Sequence, residues 1–235
     1  MVVPGPDTAI PREVSVPVGS DRLVADLSVP PEARGLVVFA HGSGSGRRSP
    51  RNRSVARALE RSGIGTLLLD LLTPQEATED ERTFGFRFDI PLLAGRLVAA
   101  VDWSASEPGV RGLPLGIYGA STGGAAALIA AAERPARVRA LVLRGARSDL
   151  ADTHAGKVAA PTLFVAGGQD VEILAMNRAT ARRLTGPNRL TVVPGATHLF
   201  DEPGALEAVT EVTVAWFGQH LVVGPQTSRK VADLD

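Results

Sequence analysis

Apolar positions gather in short runs rich in β-branched residues at 14–18, 23–29, 36–40, 64–70, 115–119, 140–143, 162–166 and 190–193, each of strand length and bounded by polar, Gly or Pro residues. Between the later runs the period changes. Ile90, Leu93, Ala94, Leu97, Val98 and Val101 recur at spacings of three and four, which sets them on one face of a helix. Further helices are expected over 54–61, 124–133, 173–184 and 204–220. Only Gly19, Ser20 and Asp21 join the first two runs, so these form a hairpin. The remainder alternates strand and helix, and the expected architecture is α/β: about eight strands in a mostly parallel sheet with helices on both faces. Residues 13–222 are expected to form a single domain, with 1–12 a polar, Pro-punctuated N-terminal extension and 223–235 a disordered tail.

Charge and composition narrow the function classes. The 235 residues carry 25 Lys and Arg against 25 Asp and Glu, so no net field recruits nucleic acid or an anionic membrane surface. A small-molecule substrate is the expected partner. There is no cysteine, which excludes disulfides, thiolate metal sites and a cysteine nucleophile. No window approaches the roughly 18 apolar residues of a membrane helix and the N-terminus has no signal-peptide pattern, so a cytoplasmic location is expected.

The sharpest chemical signal is Leu115 to Gly124, LGIYGASTGG, where a strand runs through Gly119-Ala120-Ser121-Thr122-Gly123 into an alanine-rich helix. A G-x-S-x-G turn of this kind holds its serine on a strained strand-to-helix corner, and side chains at the flanking glycines would collide with neighbouring backbone. Ser121 is therefore the candidate nucleophile. A serine hydroxyl needs a base, and the chain has four histidines. His198, in the loop VVPGATHLFDEP after the last strand, stands where α/β hydrolases place theirs, in the order serine, acid, histidine. His154 and His220 lie in no motif, and His220 reads as a solvated helix end. Asp170, in PTLFVAGGQD, is the expected acid, with Glu172 and Asp149 as competitors and helix capping as its bland alternative. The loop HGSGSG supplies one candidate oxyanion donor at Ser43, and Thr122 the other. For His41 an orienting role in that loop is expected, and for Arg47 and Arg48 solvation.

HGSGSG, GASTGG, GGQD and GATHLF together resemble an α/β hydrolase, and more particularly the dienelactone-hydrolase-like group of small bacterial serine esterases. The resemblance spans residues 14–220. It implies an eight-stranded sheet, no cofactor or metal, and cleavage of an ester, thioester or lactone through an acyl-enzyme on Ser121, His198 and Asp170. Dienelactone hydrolases proper use a cysteine nucleophile, and here Ser121 stands in its place.

About twenty residues separate the sixth and seventh strands, too few for a helical cap, so the site should be open. The substitute wall is residues 71–89, an acidic run expected to be a solvated loop or short helix that gathers Phe84, Phe86 and Phe88. Phe84 and Phe86 are candidates for an acyl or alcohol pocket, with core packing as the alternative, and Arg82 or Arg87 for a carboxylate anchor. An acyltransferase or peptidase would use the same residues, and a binding protein could keep the fold without turnover. A monomer or homodimer is expected.

Overall fold

The computed structural model describes residues 10–221. An eight-stranded sheet forms its centre, in the order β1-β2-β4-β3-β5-β6-β7-β8. β1 (Arg12–Val18) and β2 (Asp21–Ser28) form the expected hairpin, and β2 runs antiparallel to β4 (Gly65–Leu69). β3 (Leu36–Ala40), β4, β5 (Leu115–Ala120), β6 (Val138–Arg144), β7 (Thr162–Gly167) and β8 (Asn188–Val193) are all parallel. Arg12 already pairs with Leu27, so the ordered strand reaches into the segment expected as an extension. Residues 1–9 of that extension and the expected tail 223–235 lie outside the described residues.

Strand alternation builds two cores. Val37 and Phe39 of β3, with Tyr118 and Val142, pack under α1 (Pro50–Arg61) and α7 (Ala205–Leu221) through Val55, Leu59, Val209 and Phe217. Leu36, Val38, Ile117 and Leu141 point the other way, against Leu93, Leu97 and Val101 of α3 (Ile90–Ser104) and Leu128 of α4 (Thr122–Glu133). Each fully buried side chain of this size contributes about 1.5–3 kcal/mol relative to exposure.

Local chemistry sets the helix ends. α1 begins at Pro50, earlier than the apolar period suggested, because Ser49 caps it and proline is pre-set for the first helical position. The acidic run contains α2 (Pro74–Thr83), started by a capping box in which Thr73 and Glu76 bond each other's backbone N–H. β6 and β7 are joined only by a 3-10 turn (Ser148–Ala151) and the short α5 (Asp152–Ala155), so no large cap covers the sheet. The carboxyl ends of β3, β5, β7 and β8 open at one edge, where loops of a parallel sheet converge.

Candidate active site

Ser121 sits between β5 and α4 with φ 51° and ψ −120°, a conformation that costs a non-glycine residue on the order of 1–3 kcal/mol. The surroundings enforce it. Its N–H donates to the Arg144 carbonyl at 3.1 Å, and its own carbonyl accepts from Arg147 N–H at 3.0 Å. A Cβ on Gly119 would lie 2.7 Å from the Gly123 carbonyl oxygen, and one on Gly123 only 2.3 Å from that of Ala40. Both glycines of the turn are thus dictated by close approach of backbone.

Across from the serine, Asp170 and His198 meet. Asp170 ends the β7 loop just before α6 (Val171–Ala181), and its Oδ2 accepts from His198 Nδ1 at 2.6 Å. Its side chain does not cap α6. Asp149 is engaged elsewhere, by a two-pronged ion pair with Arg147 at 2.9 and 2.8 Å. The His198 loop is held by Phe200, which is fully buried, and by Thr197, whose N–H and hydroxyl both donate to Glu202 Oε1. The two loops also touch directly, since a Cβ on Gly167 would stand 2.4 Å from the Ala196 carbonyl oxygen. Ser121 and His198 line one cavity of about 240 Å³, together with Ser43, Arg51, Asn52, Arg144 and Leu199.

The loop after β3 closes the site from the other side. Gly42 is so near that a Cβ there would lie 3.0 Å from Ser121 Cβ. His41 has the orienting role expected of it: Nδ1–H donates to the Gly42 carbonyl at 2.9 Å while Nε2 accepts from Leu71 N–H at 3.0 Å. That pairing fixes the neutral tautomer, and burial pushes the imidazole below its ordinary pKa. Thr122, as the first residue of α4, has an N–H with no helical acceptor, and it shares a second cavity of about 290 Å³ with Ser43 and Arg87.

Three expectations need correction. Arg47 is not solvated: its side chain is 10% exposed and ion-paired to Asp26, to Asp70 at 3.0 Å and to Glu13 at 3.0 Å, whereas Arg48 is exposed as expected. Burial lowers the Arg47 pKa, and the three carboxylates more than offset that. The acidic run is not wholly solvated either. Asp80 is buried and takes the N–H groups of Phe86 and Arg87 and the Arg87 guanidinium. His220 is half-buried against Trp216, ring centroids 4.4 Å apart, and burial lowers its pKa.

The turn around Asp80 decides where the aromatic residues go. Phe84 is exposed beneath the Arg87 guanidinium, 4.5 Å from ring centre to Cζ, Phe88 is exposed, and Phe86 is half-buried. Arg87 lines the second cavity, while Phe84 and Phe86 do not join its lining. Arg82 lies on the outer side of α2 with Pro74 and Thr78. Sequence reasoning passed over Arg51, Asn52 and Arg144. The signal for Arg144 was present, a lone basic residue closing an otherwise apolar stretch, ALVLR, beside the serine turn.

The sequence profile of the Dienelactone hydrolase family matches residues 25–221. A dienelactone hydrolase from Anabaena variabilis is 52% identical in sequence and superposes with a TM-score of 0.88 over 90% of this chain and 99% of that one. Est1E from Butyrivibrio proteoclasticus shares the fold at 18% identity, with a TM-score of 0.72 over 88% of this chain and 99% of its own. Two Mycobacterium tuberculosis proteins, from strains CDC 1551 and H37Rv, are 50% identical over 217 residues and bear the name "Putative phosphoribosyl transferase". Those residues are 92% of this chain, which spans about half (48%) of the length of either relative. The arrangement of fold and sequence makes this chain a member of the dienelactone hydrolase family, with its α/β-hydrolase fold.

Proposed function

We propose that the chain is a serine hydrolase that cleaves a small ester, thioester or lactone through an acyl-enzyme. The observation that carries this reading is the 2.6 Å contact of Asp170 with His198, whose ring opens on the same cavity as the strained Ser121. Ser121 Oγ attacks the carbonyl carbon as His198 Nε2 takes its proton. The negative charge that develops on the carbonyl oxygen is met by the N–H groups of Thr122 and Ser43. Collapse breaks the bond to the leaving oxygen or sulfur, which receives the proton from His198. A water, deprotonated by the same nitrogen, then attacks the acyl carbon and frees the acid and Ser121. Asp170 holds the Nδ1–H tautomer throughout and stabilises the imidazolium.

Arg87 forms part of the wall on the α2 side, with its charge engaged by Asp80. Residues 13–222 act as one domain on a small-molecule substrate, as a monomer or homodimer in the cytoplasm. Among the described residues no helix is long and apolar enough to cross a membrane.

Steady-state hydrolysis of 4-nitrophenyl acetate tests the reading. Turnover by wild type that falls by several orders of magnitude in His198→Ala supports it; wild-type protein that is inert toward short esters, thioesters and lactones alike contradicts it.

A further inference from the structure

In the sheet, β6 lies between β5, which leads into Ser121, and the neighbours β7 and β8, whose loops carry Asp170 and His198. Backbone contacts between those two loops tie Asp170 to His198, but none of them reaches the serine. The end of β6 does. The Arg144 carbonyl accepts the Ser121 N–H at 3.1 Å, and Arg147 N–H donates to the Ser121 carbonyl at 3.0 Å. Between them, Gly145 N–H donates to the Val165 carbonyl of β7 at 2.8 Å, and the Ala146 carbonyl accepts from buried Asn177 of α6 at 2.7 Å. Gly145 also meets the imidazole itself: a Cβ there would stand 3.3 Å from His198 Cε1 and 3.4 Å from Nδ1. Its φ of 54° is a left-handed conformation that glycine adopts without strain.

The Arg144 side chain reaches the same histidine loop. Only 7% of the residue is exposed, it makes no ion pair among the described residues, and its Nε is buried without a hydrogen-bond partner. A shielded cation is costly unless something negative faces it. Here that is the Phe200 ring, whose centre lies 5.6 Å from Arg144 Cζ, within range of a cation–π contact. Phe200 is fully buried and holds φ 57°, a strained conformation for phenylalanine that persists only where the surroundings dictate it. It stands two residues after His198, and its N–H donates to the Thr197 carbonyl at 3.3 Å, which closes the turn around the histidine. Burial raises the pKa of the Tyr118 phenol on β5, and Arg144 opposes that rise, so the guanidinium also stands near β5. One side chain thus spans the strand that leads into Ser121 and the loop that carries His198.

We propose that Arg144 and Gly145 are the spacer that sets the Asp170–His198 pair against Ser121: Arg144 is a positioning residue that acts through Phe200, and Gly145 is the stop on which the imidazole rests. The proposal rests on Ser121 as nucleophile and His198 as base, and it adds what holds the two at working distance. The charge of Arg144 then serves the protein's own aromatic ring, and neither residue exchanges a proton or a bond with the substrate.

Kinetics and structure test it separately. With 4-nitrophenyl acetate, Arg144→Met should lower kcat about a hundredfold, the cost of a base displaced on the scale of an ångström, and leave KM little changed. Phe200→Leu should cost a similar factor, and the double variant should fall no further, because the two side chains serve one contact. Arg144→Lys should recover most of the loss, since an ammonium keeps the cation–π contact. Losses that multiply in the double variant, or a loss in Arg144→Met carried by KM alone, overturn the proposal. Crystal structures give a readout that needs no turnover. The distance from Ser121 Oγ to His198 Nε2 should be longer in Arg144→Met and in Gly145→Ala than in wild type, while Asp170 Oδ2 and His198 Nδ1 stay 2.6 Å apart. An unchanged serine–histidine distance in both variants overturns the proposal. Wild type that cleaves no ester, with the imidazole displaced in both variants, supports the spacer and counts against the hydrolase reading alone. If Arg144→Met does not fold, Arg144→Gln replaces it in both measurements with the same outcomes expected.

Discussion

Asp170 Oδ2 and His198 Nδ1 lie 2.6 Å apart although they come from the loops after two neighbouring strands, β7 and β8, and 28 residues separate them. Backbone contacts set this distance: Gln169 N–H donates to the Ala196 carbonyl at 2.9 Å, and Gly168 N–H to that of Val193 at 2.9 Å. Asp170 and His198 are therefore fixed relative to one another by backbone contacts alone.

Asp170→Asn should leave the backbone in place and lower kcat on the order of a thousandfold or more, because an amide favours the wrong imidazole tautomer. Asp149→Asn should be nearly silent in turnover, since its carboxylate faces Arg147. Steady-state kinetics on both variants check this, and the reverse ranking would move the acid to Asp149.

Ser121→Gly should be more stable than Ser121→Ala by about 1 kcal/mol, because glycine tolerates φ 51° where alanine does not. Urea unfolding of the two variants measures the difference. Equal midpoints would mean that the turn is not strained at this residue.

Removing Arg47 should unfix the loop that faces Ser121. Arg47→Met leaves Asp26 and Asp70 without their shared cation, a loss of about 2 kcal/mol for a site still partly open to water. Chemical denaturation gives the stability change, and kcat should fall with it because the variant loses the Arg47 Nε bond that ties the loop to Asp70 at 3.0 Å and keeps only the backbone one.

Much of this architecture was legible in the sequence. The alternation of β-branched runs with period-3.6 stretches gave the strands, the hairpin and the parallel sheet, because period and turn residues are local properties. The serine turn was legible for the same reason: Gly119 and Gly123 report a backbone crossing that no other residue permits. The Arg47 cluster was not, since its partners lie at Glu13, Asp26 and Asp70 and meet only once the sheet has formed. Asp80 looked like one more acid on a solvated run until the backbone of Phe86 and Arg87 turned onto it and sent Phe84 and Phe88 outward. Arg144 was hidden in a different way, because a basic residue ending a strand reads as surface unless the loops above it are known.

Burial holds the His41 imidazole below its ordinary pKa. Burial favours the neutral ring in the folded state, so the unfolded chain takes up a proton first as the pH drops. Stability from this residue is present above the ordinary imidazole pKa of about 6.5 and is lost as the pH falls below it toward the folded value. His41→Gln should flatten the dependence of the melting temperature on pH over that acidic range. An unchanged slope would assign the effect to other groups, His220 among them.

The central claim is that Ser121 is an activated nucleophile, and intact-mass analysis after treatment with a fluorophosphonate probe tests it most directly. A single adduct on wild-type protein, absent from Ser121→Ala and slowed in His198→Ala, is the result predicted. Well-folded wild type that stays unlabelled, or labels equally in Ser121→Ala, would contradict it.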